Sequence, residues 1–526
     1  MEFIKKNFLV IFILILLLGT ALRVYNLSGT SFSADEFLGV NTAYGYAKTG
    51  EWRRWDFNLN KLSEDRSYAY TIFDFGNKKD AEEGNYIRAW MYNGQIAKVL
   101  NFLPASKESS FRLVSVLWGI VSLFLLYFIA KFFTKNRIIG LLSAFLFAIS
   151  ISGIIFDRNI RMYAMLFPFY LMFSYLFYQF LEGEKNFGYS IIDKLKKITG
   201  LNFVYLIPLA VIGLVSLHLH LLSVNIFPAV FVYIIANAII EFRKTGKKLN
   251  RYSNYIILAG ALFVIFLLAF PRQFAPILMG IEFENHFSYI IRAFSDYASA
   301  ILAFGTMILG IIYLNKNHKK ESLFLVSSLV VPFFLAIFVW NRSVGDQYIF
   351  FIKSFLIILI ASGIYFLAEF FGKTFSQNKL KIELATIILA LIIIPNYAYF
   401  FQENNTYRQT SSSDSPNYKK VFGYYLKHQQ DGDVLVTRWF RNYYFSDANA
   451  RVETFGGERE DKDIKKMTGE RLAEIQKNNS CGWFIWADND DDFITADAKD
   501  YARKNFEFIN DIAVRGKITV NHWCDK

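Results

Sequence analysis

The 526-residue sequence lacks the short motifs that mark several large enzyme classes. It contains no Walker loop, no GxGxxG after a strand, no GxSxG and no CxxC. The usual signatures of nucleotide hydrolysis, dinucleotide chemistry and serine-type acyl transfer are thus missing. This pattern disfavours a pump driven by ATP.

Charged residues and cysteines are also scarce. Only 19% of the residues are charged, whereas 54% are apolar and 18% are aromatic. A soluble core does not need so large an apolar fraction, so the composition predicts a polytopic α-helical membrane protein. The two cysteines, Cys481 and Cys524, lie in the C-terminal part, where a disulfide and a pair of free buried thiols are both compatible with the sequence.

Long apolar runs recur along the chain at lengths that span a bilayer, about 17 to 22 residues. The first run is predicted to be an uncleaved helix, because no small-x-small cleavage site follows it and further apolar segments come after it. No repeat with a period of about 20 to 50 residues is present. The eleven predicted spans are 8–26, 112–130, 138–156, 164–181, 202–219, 222–240, 255–271, 297–314, 322–340, 354–371 and 382–400.

The distribution of basic residues predicts the orientation of these spans. With the N-terminus in the cytoplasm, twenty lysines and arginines fall in cytoplasmic pieces and six in the short outer turns. This bias follows the positive-inside rule and predicts a multi-pass protein of the cell membrane with an extracytoplasmic C-terminus. The net charge of +12 is thus explained by the basic residues that orient the protein in the bilayer. Nucleic acid is therefore not expected as a partner.

The same topology predicts the domain organisation. Residues 1–401 form the membrane domain, which includes a large first outer loop at 27–111. A polar linker follows at 402–418. Residues 419–526 form a small extracytoplasmic α/β domain, because DVLVTRWF and CGWFIWAD resemble buried strands and TADAKDYARKNFEF resembles a helix.

The stretch SFSADEFLGV contains two adjacent acids, Asp35 and Glu36, just after the first span. Ser33 and Glu36 fit a capping box, so Glu36 has a structural interpretation as a helix start. Asp35 is not explained by the box. A carboxylate in the first helical turn is stabilised as an anion by the helix dipole and can accept a proton from a hydroxyl. The helix that follows, residues 35–52, is predicted to be amphipathic and to lie along the membrane interface.

The segment FDRNIRMY, residues 156–163, is a second candidate. Arg158 and Arg161 are three residues apart and would share one face of a helix, with Asp157 holding one of them in place. The guanidinium fork suits a phosphate. Interfacial snorkelling is the structural alternative.

A third candidate is the predicted outer turn NRSVGDQYIFFIK, residues 341–353. Arg342 and Lys353 could bind an anion, while Asp346 and Tyr348 could meet a polar substrate. An ordinary loop with flanking charges explains the same residues.

Metal ligation has only weak candidates in the sequence. His218 and His220 are two residues apart, which points the rings to opposite sides of a helix and disfavours shared chelation, although either ring could hydrogen-bond a substrate. Glu282, Glu284 and His286 form an acidic cluster in which a divalent ion is possible. No metal or other cofactor is expected to be required.

The order of these features resembles the polyprenyl-phosphate-sugar glycosyltransferases of the C-type superfamily, including the protein O-mannosyltransferase (family 39) and aminoarabinose transferase groups. The resemblance rests on ADEFLGVNTAYGYAKTGEW, on the Arg-Leu-x-Ser start of the span in 109–150, and on IIFDRNIRMYAMLFPFYLM. It covers residues 5–240 well and 320–370 loosely. Two features depart from the family, because Gln347 precedes Tyr348 where an arginine is usual and the proline-rich stretch after the first-loop helix is missing.

The resemblance implies transfer of a single sugar from a polyprenyl-phosphate donor to an acceptor hydroxyl, with inversion at the anomeric carbon. Asp35 would be the general base and Glu36 would position the acceptor, which could be a protein, a lipid or a surface polymer. The implied donor-phosphate residues are Arg158, Arg161, Arg342 and Lys353, and the implied substrate-binding residues are Tyr163, His218, His220, Gln347 and Tyr348.

Two other functions stay open at this point. A transporter or flippase of a lipid-linked or polyanionic substrate could use the outer charges, although ionisable residues within the spans are scarce. An oligosaccharyltransferase would share the aspartate after the first helix, although the sequence lacks its Trp-Trp-Asp-Tyr-Gly type of motif.

Overall fold

The computed structural model of the chain describes residues 7–62, 90–184, 188, 190–269, 283–340, 344–375, 379–438, 443–444, 451–456 and 466–524. Within these residues the chain forms two compact units. The first unit comprises residues 7–24 and 115–399. The second comprises residues 25–62, 90–114 and 400–524.

Helices account for most of the described chain. In chain order they are α1 Phe8–Val24, α2 Ala34–Thr49, α3 Trp90–Leu100, α4 Glu108–Thr134, α5 Arg137–Ala148, α6 Ile151–Asp157, α7 Tyr163–Glu182, α8 Ser190–Thr199, α9 Leu206–Leu219, α10 Ile226–Thr245, α11 Arg251–Ala269, α12 Ser288–Ala293, α13 Ala300–Asn317, α14 Lys319–Phe338, α15 Lys353–Thr374, α16 Lys379–Ile393, α17 Tyr418–His428, α18 Gly469–Lys477, α19 Ala496–Asn505 and α20 Ile512–Arg515. The strands are β1 Trp55–Asp56, β2 Lys61–Leu62, β3 Val434–Arg438, β4 Arg451–Phe455, β5 Cys481–Ala487, β6 Glu507–Phe508 and β7 Ile518–Cys524.

The first unit is a bundle of apolar helices arranged around α15. In the segment Phe350–Thr374, 83% of the most apolar window is buried, which makes α15 the most enclosed of the candidate spans. Gly310 of α13 and Gly363 of α15 allow these two helices to approach closely, because a Cβ on either glycine would overlap the facing backbone. Small residues at helix crossings serve this purpose in membrane bundles.

A helix lies at each of the eleven predicted spans, but the helices differ in length. Among the described residues, six helices are long and apolar enough to cross a membrane, or eight spans if each of two bent pairs counts as one. The α5–α6 pair bends by 63° and the Ile191–Thr199 and Phe203–Leu219 pair by 112°. Helix α1 has 17 residues and α16 has 15, so both fall short of a full span by length alone.

The second unit contains a five-stranded sheet with the strand order β4-β3-β5-β7-β6. Strand β3 pairs in parallel with β4 and β5, and β7 pairs antiparallel with β5 and β6. Its core combines strand and helix side chains, among them Val434, Phe484, Leu472, Ala498 and Trp523. The predicted strands and helix of the C-terminal α/β region are therefore confirmed.

A disulfide closes this sheet at one end. Cys481 and Cys524 are directly opposite residues of the β5–β7 ladder and are bridged. Of the two possibilities left open by the sequence, the structure contains the disulfide.

The segment that follows α1 and the C-terminal segment belong to the same unit and contact each other. Asn26 Nδ2 donates to Tyr407 O at 2.7 Å, and Asn58 Nδ2 donates to Arg438 O at 3.2 Å. The Phe32 amide donates to the Tyr444 hydroxyl at 3.0 Å. The Phe32 contact lies two residues before the start of α2, where the two adjacent acids lie.

Candidate active site

The start of α2 is a complete capping box. Ser33 Oγ accepts the Glu36 amide at 3.4 Å, and Glu36 Oε2 accepts the Ser33 amide at 2.9 Å. The predicted box is therefore confirmed. It fixes the first turn of the helix and, with it, the backbone at Asp35.

A buried arginine holds the other side of the Glu36 carboxylate. Arg112 Nε donates to Glu36 Oε1 and Arg112 Nη2 donates to Glu36 Oε2, both at 2.9 Å. Glu36 is 2% exposed and Arg112 is 3% exposed. This is the bidentate geometry in which an arginine and a carboxylate bind most strongly.

The remaining donors of Arg112 bind the loop before α2. Nη1 donates to Leu27 O at 2.9 Å and to Thr30 O at 3.0 Å, and Nη2 donates to Ser31 O at 3.1 Å. One guanidinium thus ties the loop to the first turn of the helix. Both oxygens of Glu36 are engaged by protein donors, which gives Glu36 a clear role in positioning the start of α2.

Asp35 lies next to this buried pair and has the opposite environment. Its side chain is exposed, whereas Glu36 beside it is buried. Both acids are in the first turn of α2, where the helix dipole favours an anion. The structure therefore separates the two adjacent carboxylates into one that is enclosed by protein and one that can reach a solute.

Two tyrosines from the C-terminal segment complete the surroundings of the loop. The Tyr444 hydroxyl donates to Glu108 Oε1 at 2.9 Å, and Lys419 Nζ lies 3.0 Å from the same oxygen. Burial and the nearby Glu108 carboxylate raise the pKa of Tyr444 well above its usual value, so the phenol stays protonated as a donor. The neighbouring Tyr443 ring packs edge-on against Phe32 at 5.0 Å.

Helix α2 does not have the amphipathic pattern that its sequence predicts. Its buried residues include Phe37, Val40, Asn41, Thr42 and Ala43, and these positions surround the helix axis. Phe37 packs edge-on against Tyr418 at 5.4 Å. The predicted amphipathic pattern is wrong because protein encloses the helix on several sides, whereas a position along the membrane interface stays a prediction.

In the first unit, Arg158 and Arg161 lie outside a helix. Helix α6 ends at Asp157 and α7 begins at Tyr163, so both arginines belong to the connection. The predicted shared helical face is therefore wrong. Ser115 Oγ donates to Asn159 O at 2.6 Å. This tertiary contact holds the connection between α6 and α7 in its non-helical conformation.

Asp157 pairs with an arginine that the sequence did not single out. Arg23 Nε donates to Asp157 Oδ2 at 2.7 Å, and both side chains are fully buried. Arg23 also donates to Phe147 O and Ala148 O at the end of α5 and so binds the backbone carbonyls at the break. The sequence predicts that Asp157 holds Arg158 or Arg161, but in the structure Asp157 pairs with Arg23.

Arg158 is connected to the same group through the backbone. Its Nη1 donates to Arg23 O at 2.8 Å, and the residue is 3% exposed. Arg161 is half-buried. Of the two arginines, Arg161 is the more accessible to a solute.

Lys353 lies in a buried polar group rather than in an open loop. Its ammonium donates to Asp296 Oδ2 at 3.1 Å and to Ser152 Oγ at 3.0 Å. Asp296 also accepts the Ser152 amide at 2.7 Å and the Ser152 hydroxyl at 2.6 Å. Asp296 therefore balances the charge of Lys353, and a phosphate at this lysine would have to compete with that carboxylate.

Asp296 gives the first unit a pH dependence of definite sign. Burial acts to raise the pKa of Asp296, but the Lys353 ammonium and the hydrogen bonds from Ser152 outweigh it and lower the pKa below its usual 3.8. The stabilisation by this carboxylate is complete above the unfolded pKa and is lost as the pH falls through the folded pKa. We expect the difference in unfolding free energy between the wild type and Asp296→Asn to be constant near neutrality and to shrink below about pH 4. Denaturant titration in detergent measures it, and a difference that grows on acidification contradicts the assignment.

The outer turn before Lys353 is only partly described. Arg342 lies outside the described residues. Gln347 and Tyr348 are half-buried in the short helix Asp346–Tyr348, and Asp346 Oδ1 accepts Arg292 Nη1 at 3.0 Å. Their role in substrate binding stays a prediction.

His220 meets Tyr163, another residue predicted to bind substrate. The Tyr163 hydroxyl lies 3.5 Å from His220 Nε2, and both residues are buried. His220 Nδ1 accepts the Leu222 amide at 3.0 Å, which places the ring proton of a neutral imidazole on Nε2. Helix α9 ends at Leu219, so His218 and His220 do not share a helix.

No group of three or more potential metal ligands occurs in the part of the chain that the structure describes. Glu284 Oε2 lies 3.8 Å from His286 Nε2, and Glu282, the third member of the predicted acidic cluster, falls outside the described residues.

Solved structures share this architecture at low sequence identity. The Archaeoglobus fulgidus oligosaccharyltransferase in its apo form matches 97% of this chain and 74% of its own, with a TM-score of 0.58 and 11% identity. ArnT from Cupriavidus metallidurans bound to undecaprenyl phosphate matches 98% of each chain, with a TM-score of 0.55 and 8% identity. The archaeal oligosaccharyltransferase AglB from Archaeoglobus fulgidus, in complex with an inhibitory peptide and a dolichol-phosphate, matches 96% of this chain and 73% of its own, with a TM-score of 0.52 and 10% identity.

No protein-family model and no curated protein sequence matches the chain. At these identities the structural likeness establishes the fold alone, which this chain shares with the Archaeoglobus fulgidus oligosaccharyltransferase and with ArnT. The predicted fold class and the predicted resemblance are confirmed at that level.

Proposed function

We propose that this chain is an integral-membrane glycosyltransferase that moves a sugar from a polyprenyl-phosphate donor to an acceptor hydroxyl on the extracytoplasmic side. The observation that carries the proposal is the separation of the two adjacent acids. Glu36 is held by Arg112 and the capping box, and Asp35 is left exposed in a fixed first helical turn. A rigidly placed carboxylate open to a solute is suited to general base catalysis.

The fold supports the choice of donor. One structure of the same fold holds undecaprenyl phosphate and another holds a dolichol-phosphate. Both ligands are polyprenyl phosphates, which are the leaving groups of the proposed reaction. A transporter is not favoured by this likeness, since the matching proteins are transferases of the same architecture.

In the proposed reaction Asp35 accepts the proton of the acceptor hydroxyl while that oxygen bonds to the anomeric carbon of the donor sugar. The bond between this carbon and the phosphate oxygen breaks, its electron pair leaves with the polyprenyl phosphate, and the anomeric centre inverts. A positioned base contributes a rate factor of about 10² to 10⁴. Arg158 and Arg161 are proposed as donors to the leaving phosphate, where negative charge grows.

The side of the membrane is inferred from two observations. Basic residues concentrate in the segments predicted to be cytoplasmic, and the second unit contains the Cys481–Cys524 disulfide. Structural disulfides persist mainly in oxidising compartments. We therefore propose a cytoplasmic N-terminus and an extracytoplasmic C-terminus. An acceptor on a protein is one candidate, since an Archaeoglobus fulgidus oligosaccharyltransferase of this fold was captured with an acceptor peptide.

Transfer of a whole glycan is a second candidate. It is favoured by the match to the Archaeoglobus fulgidus oligosaccharyltransferase, whose TM-score of 0.58 is comparable to that of ArnT. The two candidates differ in the donor, which is a single sugar on a polyprenyl phosphate in one and a lipid-linked oligosaccharide in the other.

The test uses the purified full chain in proteoliposomes with a panel of both donor types. Release of polyprenyl phosphate from a single-sugar donor is the expected result. Cleavage of lipid-linked oligosaccharides alone would replace the first candidate with the second. Movement of intact donors across the bilayer without cleavage would overturn both.

A further inference from the structure

We infer that residues 101–107 form a membrane-inserted wedge of the second unit, with Phe102 and Leu103 in the interfacial region of the bilayer. This segment connects α3 to α4. The Phe102 side chain is 88% exposed and Leu103 is 39% exposed. Apolar side chains presented in this way beside a membrane span indicate a lipid contact.

Hydrogen bonds fix the backbone of the wedge. The amides of Phe102 and Leu103 both donate to Val99 O at 3.0 Å, which extends the last turn of α3. Ser110 Oγ donates to Pro104 O at 2.7 Å, and the Tyr443 hydroxyl donates to Ala105 O. The two apolar side chains are thus directed outward by a fixed backbone.

The position of the wedge in the chain identifies lipid as the partner. Helix α4, which starts at Glu108, has 27 residues and is long and apolar enough to cross a bilayer. Phe102 lies only six residues before this span, a distance that keeps it near the membrane surface. The exposed lysines Lys98 and Lys107 flank the apolar pair, as expected for a segment that meets lipid phosphates.

Two further exposed aromatic residues of the same unit follow the same pattern. Tyr25 directly follows the apolar helix α1 and is 67% exposed. Phe401 ends the short helix Tyr397–Phe401 after α16 and is 84% exposed. Aromatic residues concentrate at the ends of membrane helices in this way. The wedge is therefore part of a set of exposed aromatic side chains that each adjoin an apolar helix.

Site-directed spin labelling tests the wedge directly and does not depend on the proposed reaction. Because Cys481 and Cys524 are bridged, a nitroxide can be attached selectively at F102C or L103C in the full chain. The chain is placed in vesicles that contain phosphatidylglycerol, and collisions with oxygen and with a soluble nickel chelate are compared. The matched control is I512C in α20, a 60% exposed apolar position of the same unit that adjoins no apolar helix.

The ratio of oxygen to nickel accessibility is expected to be several-fold higher at positions 102 and 103 than at 512, because oxygen partitions into lipid and the chelate does not. Adding F102D to the L103C variant should lower the ratio at position 103, since a charge opposes insertion. Equal ratios at 102 and 512 would overturn the proposal. Labels at 102 and 103 shielded from both reagents would also overturn it, because they would indicate a protein partner.

Discussion

Asp35→Asn is expected to reduce sugar transfer by at least about 10², the lower end of what a general base contributes. The amide keeps the shape of the side chain and removes its ability to accept a proton. Because Asp35 is exposed, the substitution leaves the buried Glu36–Arg112 pair intact. Donor binding and the melting temperature should therefore stay close to the wild-type values.

Turnover at saturating donor across the pH range is the measurement for this prediction. Asp500→Asn is a suitable control, because Asp500 is an exposed carboxylate of the same unit, with 59% of its side chain accessible. Transfer by the control should match the wild type. If Asp35→Asn also turns over at the wild-type rate, the exposed carboxylate has no part in proton transfer.

Replacing Arg112 with methionine is expected to lower the free energy of unfolding by about 3 to 5 kcal/mol, since it leaves the buried Glu36 carboxylate without its cation. The same change removes the donors to Leu27 O, Thr30 O and Ser31 O. Lysine should restore the charge but only part of the stability, because it cannot make the bidentate contact. Denaturant unfolding in detergent, followed by the protection of the second unit from proteolysis, measures the loss.

Glu36→Gln gives a matched test of the same pair. Glu36 Oε1 accepts from Arg112 Nε, and Oε2 accepts from Arg112 Nη2 and the Ser33 amide, so a glutamine NH₂ at either position faces a donor. The capping box taken alone predicts that the fold is kept, because glutamine also serves in such a box. The structure predicts a cost of at least about 1 to 3 kcal/mol.

The surface pair Arg503–Asp500 provides the control for both substitutions. Its side chains are 75% and 59% exposed, so Arg503→Ala should change stability by less than about 1 kcal/mol. If Arg112→Met proves as mild as Arg503→Ala, the buried pair does not hold the start of α2.

Local patterns of the sequence predicted the features whose cause is local. The capping box depends on Ser33 and Glu36, three residues apart, and it was found as predicted. The apolar runs predicted helices at all eleven positions, and the buried strands of the C-terminal region were recognised from continuous apolar stretches. Such signals are carried by neighbouring residues and survive folding.

The partners of the buried charges could not be predicted in this way. Glu36 meets Arg112 at a separation of 76 residues, and Asp157 meets Arg23 at 134. Only the packing of the helices brings these groups together. The Arg-Leu-x-Ser motif contains Arg112, but the motif predicts only the start of a span and does not indicate a partner for an acid in the first loop.

Helix breaks were the second feature that the sequence concealed. The connection from Arg158 to Met162 contains neither glycine nor proline, and the spacing of Arg158 and Arg161 predicts a shared helical face that the structure does not form. Tertiary contacts end the helix instead, through Ser115 Oγ at Asn159 O and Arg23 at the α5 carbonyls. These partners come from distant parts of the chain.

The central claim is that this chain cleaves a polyprenyl-phosphate sugar with the help of Asp35. The most direct measurement follows labelled sugar and released polyprenyl phosphate in the same proteoliposomes, for the wild type and for Asp35→Asn. We predict that the wild type releases one polyprenyl phosphate for each sugar that reaches the acceptor and that Asp35→Asn releases almost none. Equal release by both proteins, or sugar that stays on its lipid in both, would contradict the claim.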